Sequence, residues 1–63
     1  MITISKRLSG RFDNVFVELR GLSTDEKPTE LNGKAIENGS TYIEIDTGKI
    51  YLYDLENEEW KEI

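Results

Sequence analysis

The side chains with chemical reach in this 63-residue sequence are carboxylates, phenols and one indole. Histidine and cysteine are both absent. That removes the usual neutral-pH general base, the commonest metal ligand and every thiolate reaction. Zinc fingers, triad hydrolases and cysteine enzymes are excluded. Asp54, Glu56 and Glu58 alternate as calcium-loop ligands do. Such a loop needs glycine at its sharp bend, where Glu59 stands, and a distal bidentate glutamate that the sequence does not supply. The run reads instead as a solvated hairpin loop whose charges discourage edge-to-edge pairing. Glu44 and Asp46 share a strand face, but acid–base work by carboxylates needs a pocket that separates their pKa values. A small sheet offers none, and Asp46 is better explained as a turn residue bonding its own backbone. The glycines at 10, 21, 33, 39 and 48 are too scattered for a nucleotide-binding fingerprint. The expectation is a protein that is not an enzyme, with no catalytic residue, no cofactor and no metal.

The aromatic residues carry more weight. Tyr42, Tyr51, Tyr53 and Trp60 fall on one side of a predicted sheet, with Ile43, Ile45, Ile50, Leu52 and Ile63 on the other. Four rings on one face would form a large exposed patch on a monomer, and Tyr and Trp are enriched at interfaces. The four rings are therefore the candidate partner-binding residues. Two other readings stand beside this one: the N-terminal segment covers the rings as a core, or Trp60 stacks on a sugar.

Period-two alternation supplies the elements that hold these rings. Val15, Val17 and Leu19 share one face of a strand within Phe12–Arg20, and Ile2-Thr3-Ile4 predicts a short strand before it, turning near Ser9-Gly10. Residues 21–40 form a turn-rich connecting arm holding Pro28, Asn32-Gly33 and Asn38-Gly39, in which Ser23 or Thr24 could cap a short helical turn at Thr24–Lys27. A connection of that length is uncommon in a compact domain unless it is a functional arm or orders on a partner. Tyr42–Asp46 and Lys49–Tyr53 then alternate around Asp46-Thr47-Gly48-Lys49, a hairpin in which Asp46 and Gly48 are the structural turn residues. Pairing Asp46 with Lys49 sets Ile45 opposite Ile50, Ile43 opposite Leu52 and Tyr42 opposite Tyr53. A further turn at Asp54–Glu58 returns Trp60 to Tyr53. The fold class is all-β: one domain over 1–63, a small antiparallel meander of three C-terminal strands plus one or two N-terminal strands, with a long central connection. The Phe12–Arg20 strand either covers the aliphatic face or extends the sheet.

The net charge of −5 is uneven. Residues 1–20 hold four bases against two acids, and residues 21–63 hold eleven acids against four lysines. An acidic sheet repels phosphate backbones, so nucleic acid is not an expected partner. The longest apolar run is Val15-Phe16-Val17, which predicts neither a signal peptide nor a membrane anchor. Chains this small often gain stability by association. A protein partner, or a homo-oligomer, is the expectation.

Two stretches, Phe16-Val17-Glu18-Leu19-Arg20-Gly21 on to Thr29, and Asn38-Gly39-Ser40-Thr41-Tyr42 on through Asp46-Thr47-Gly48-Lys49 and Tyr51-Leu52-Tyr53-Asp54 to Trp60, resemble short proteins from the structural-gene clusters of bacteriophages and prophages of Gram-positive bacteria. The second also looks like a hairpin module of phage fibre and tail proteins. The resemblance implies a virion structural or accessory protein that binds a virion component or itself through a sheet face, located in the virion or the host bacterial cytoplasm. The alternative is a small acidic phage inhibitor that imitates DNA to block a host nuclease or defence complex. A carbohydrate-binding tip is the third reading.

Overall fold

The computed structural model describes residues 1–9 and 11–63, without the side chain of Arg11. Its strands are β1 (Thr3–Ser9), β2 (Val15–Gly21), β3 (Glu30–Leu31), β4 (Lys34–Ala35), β5 (Thr41–Glu44), β6 (Ile50–Asp54) and β7 (Glu59–Glu62). Five of them form one sheet in the order β1-β2-β5-β6-β7, and β3 and β4 pair separately. The described chain is all-β, with a tight turn at Arg11–Asp13 in which Phe12 departs from helical φ/ψ. The turn expected at Ser9-Gly10 falls partly outside the described residues.

β2 extends the sheet rather than covering a face, and it runs parallel to β5. This parallel pair explains the long arm. Two parallel neighbours need a crossover of a dozen or more residues, because the chain must travel back along the sheet. Residues 22–40 make that journey across one face. Asn32 and Gly33 both take positive φ (51° and 77°), the conformation a two-residue hairpin turn requires, and so pair β3 with β4. No helical turn forms at Thr24–Lys27. The Leu22 carbonyl accepts the Asp25 N–H at 3.1 Å, and the Asp25 carboxylate accepts the Leu22 N–H at 2.9 Å. That reciprocal turn satisfies the backbone locally, so no helix nucleates.

The C-terminal meander forms, but its first register differs from expectation. Ile43 pairs with Ile50 and Tyr42 with Tyr51, a slip of two residues. A two-residue turn centred on Thr47-Gly48 would place a β-branched residue at positive φ, which is costly. The chain instead closes a longer turn between Glu44 and Lys49, with only Gly48 left-handed (φ 77°). Thr47 Oγ1 donates to the Glu44 carboxylate at 2.6 Å and accepts the Lys49 N–H at 3.2 Å. A two-residue slip preserves the partition of faces. The β6–β7 register sets Tyr53 against Trp60, as the alternation predicts.

The core lies between the sheet and the arm. Val15, Val17, Leu19, Tyr42 and Tyr53 project from the sheet, and Ile36 comes from the arm to meet them. Buried Ser40 knits the layers: its hydroxyl accepts the Val17 N–H at 3.1 Å and donates to the Glu37 carbonyl at 2.8 Å. The extents of 33 × 21 × 15 Å fit a single sheet with an arm laid across one side.

Candidate functional site

The arm decides which side of the sheet is available. Tyr42, Tyr51, Tyr53 and Trp60 do share a face: Tyr42 pairs with Tyr51, and Tyr53 with Trp60. The Trp60 ring centroid lies 5.9 Å from that of Tyr42 and 4.9 Å from that of Tyr53. That face is the interior. Tyr42 is 0% and Tyr53 2% exposed, and Tyr51 and Trp60 are half-buried. Tyr42 and Tyr53 therefore have no surface to offer a partner, which corrects the expectation of a ring-bearing docking surface. The cover is chiefly the central arm; of the leading segment, Ile2 packs against the same core.

Polar tips make the rings good ground for that arm. The Tyr42 hydroxyl donates to the Leu22 carbonyl at 3.1 Å, and the Trp60 indole N–H donates to the Pro28 carbonyl at 2.8 Å. Rings thus satisfy arm carbonyls that aliphatic side chains would leave bare. The Lys27 ammonium lies 4.8 Å from the Tyr42 ring centroid and 4.4 Å from that of Tyr51. It also pairs with the buried Glu44 carboxylate at 2.7 Å. Burial pulls the Lys27 pKa down, but the Glu44 hydrogen bond and charge outweigh it and the net shift is upward. Glu44 is pushed below its ordinary value by Lys27 first and by the Thr47 hydroxyl second. Burial raises the Tyr42 and Tyr53 phenols. Asp46 does not simply close its own turn. Its carboxylate accepts the Ser23 N–H at 2.9 Å and the Ser23 hydroxyl at 2.6 Å, tying the β5–β6 turn to the root of the arm and lowering its own pKa.

The opposite side of the sheet is uncovered. Cross-strand pairing places Arg20, Ile43 and Ile50 in one row, with Ile63 bonded beside Ile50. Glu18, Thr41, Leu52 and Lys61 form the next row, and Leu8 pairs with Phe16 beyond them. Ile50 and Leu52 are each 41% exposed and Ile63 77%; Ile45, at the adjoining turn, is 65% exposed. Contiguous apolar surface of this kind is uncommon on a monomer. Alternation in the sequence places these aliphatic side chains on one face and leaves the Phe12–Arg20 strand either to cover that face or to extend the sheet; the strand extends the sheet. The signal that settles the matter is chemical: the arm carries few apolar residues, so it needs the polar-tipped rings as partners.

The charges on the outer face balance. Lys6, Arg20 and Lys61 stand against Glu18, Asp54 and Glu59. The turn expected to be acidic and solvated is closed by Asp54, whose carboxylate accepts the Asn57 side-chain N–H at 2.8 Å. Among the described residues no group of three or more His, Cys, Asp or Glu side chains is placed to hold a metal ion. No helix in them is long and apolar enough to cross a membrane. Comparison with protein-family models, with curated proteins and with solved structures gives no match.

Proposed function

We propose that this protein is a non-enzymatic structural or accessory component that works by binding protein through the outer aliphatic face of its sheet, a second copy of itself being the occupant. The uncovered rows of Ile43, Ile50, Leu52 and Ile63 carry this reading. The 33 × 21 Å broad side offers on the order of 700 Å², close to the ~800 Å² that each partner contributes to a standard interface. A neutral face with both signs at its borders lets two chains of net charge −5 meet where their repulsion is least. The resemblance to phage structural-cluster proteins supplies the setting, a virion or a phage-infected bacterial cytoplasm.

Imitation of DNA is the weaker reading. Several of the acids are engaged by bases, as in Lys27–Glu44, Lys49–Glu62 and Lys61–Glu59, instead of standing as a bare phosphate-like array. Sugar stacking on Trp60 is weaker still, because that ring sits against Tyr53 and its N–H is engaged by Pro28.

Sedimentation equilibrium at about 0.5 M NaCl, where surface charge is screened, tests the proposal. The unaltered chain should form a dimer, and Ile50→Lys should raise its dissociation constant at least about tenfold with unchanged circular dichroism. A chain that stays monomeric at millimolar concentration, or a dimer indifferent to Ile50→Lys, would overturn it.

A further inference from the structure

The sheet ends in two edges that differ in charge and direction. β1 is antiparallel to β2, β2 is parallel to β5, and β5, β6 and β7 alternate. β1 and β7 therefore run in opposite directions. Copies set side by side along the sheet bring β7 of one against β1 of the next as an antiparallel pair, the more stable ladder, with the aliphatic faces on one side. All seven residues of β1 are exposed, and it carries Lys6 and Arg7 with no acid. β7 carries Glu59 and Glu62 around Lys61, and Glu56 and Glu58 lie in the turn before it; Glu59 pairs with Lys61 at 2.7 Å and Glu62 with Lys49 at 3.9 Å, so the net negative charge at this edge comes chiefly from Glu56 and Glu58. Charge on an edge ordinarily prevents pairing between identical strands. Opposite net signs at the two edges disfavour β1 with β1 and β7 with β7, and favour β1 with β7.

A second observation points the same way. Phe12, in the β1–β2 turn, is 91% exposed and holds φ at 52°, and Asp13 beside it holds φ at 67°. A bulky residue in the left-handed region is strained, and such strain concentrates at contact sites. The β1–β2 and β6–β7 turns lie at the same end of the sheet, beyond the Ser9–Val15 and Asp54–Glu59 pairs. Side-by-side placement brings Phe12 to the neighbour's β6–β7 turn, where Asn38, Asp54, Leu55 and Glu56 line an open cavity of about 260 Å³.

We infer that copies of this chain join head to tail, the basic β1 edge of one pairing with the acidic β7 edge of the next and Phe12 seated at the neighbour's Leu55 cavity. This contact uses surfaces other than the outer aliphatic face. It is heterologous, so it does not close at two copies but continues into a ring or a filament.

Velocity sedimentation in about 20 mM NaCl should show species heavier than a dimer, lost in about 0.5 M NaCl as screening shortens. Lys6→Glu with Arg7→Glu, and separately Glu59→Lys with Glu62→Lys, should each weaken that assembly at least about tenfold, and an equal mixture of the two variants should regain it. Phe12→Ser should weaken it with unchanged circular dichroism, and it decides the matter if a reversal variant fails to fold. Ile50→Lys, which removes the face-to-face dimer, should leave the heavier low-salt species in place, so the two contacts fail separately. Absence of any species above a dimer at low salt, assembly indifferent to the reversals or to Phe12→Ser, or two folded reversal variants that do not combine, would each overturn the inference.

Discussion

Lys27 of the arm reaches Glu44 of the sheet at 2.7 Å, and this ion pair, set between the Tyr42 and Tyr51 rings, clamps the two layers together. Glu44 has its carboxylate held ionised below the usual range. Asp46, which binds Ser23, and Asp25, which binds the N-terminal ammonium and Leu22, shift the same way. A carboxyl with a depressed folded-state pKa stabilises above its unfolded value, and that contribution disappears as pH falls through the folded value.

Acid should therefore release the arm. Below about pH 5 the stability of the chain should decline, and Trp60 fluorescence should shift to the red as the Pro28 contact opens. Glu44→Gln should lower stability at pH 7 and flatten the slope below pH 5. A pH-independent midpoint between pH 7 and pH 3 in urea titrations would contradict this assignment.

The Tyr42 and Tyr53 hydroxyls are both in the interior but differ in partner. The Tyr42 hydroxyl donates to the Leu22 carbonyl, while the Tyr53 hydroxyl has no hydrogen-bond partner among the described residues. Tyr42→Phe should cost about 1 kcal/mol, whereas Tyr53→Phe should be neutral or slightly stabilising. Chemical denaturation of the two variants side by side checks the contrast.

Gly21 ends β2 directly beneath Tyr42. A methyl group there would overlap the Tyr42 hydroxyl and crowd the Asp25 carboxylate and Ile2. Gly21→Ala should destabilise by roughly 1–3 kcal/mol. Combining it with Tyr42→Phe should cost less than the sum of the two changes, because both act on the same few atoms. Additive costs in thermal unfolding would place the strain elsewhere.

Ile36 is the arm's one fully buried apolar side chain, and its backbone bridges to Val15 of β2. Ile36→Ala should cost about 2–4 kcal/mol. If the arm were loosely attached the change would be near zero, which thermal unfolding monitored at Trp60 would reveal.

Local pattern made much of this fold legible. Alternation in Tyr42–Asp46 and Lys49–Tyr53 identifies both strands, and Tyr53 with Trp60 fixes the last pairing. The division into a ring face and an aliphatic face survives the register slip because the slip is even-numbered. Three things were not legible. The β5–β6 register depends on Thr47 bonding Glu44 and Lys49 within the turn, a local choice that alternation does not encode. The parallel pairing of β2 with β5 joins segments twenty residues apart, and periodicity carries no direction. The covering of the rings rests largely on Lys27, Pro28 and Leu22, polar and backbone contacts, with Ile36 as an isolated apolar anchor, and so leaves no hydrophobic period to read. The candidate surface changed sides for that reason alone.

Chemical shifts followed on dilution, with methyl and ring signals assigned in about 0.5 M NaCl, test the central assignment most directly. Methyl signals of Ile43, Ile50, Leu52 and Ile63 should move with concentration, while the ring signals of Tyr42 and Tyr53 stay fixed. Moving rings and stationary methyls would mean that the aromatic side is the one that docks.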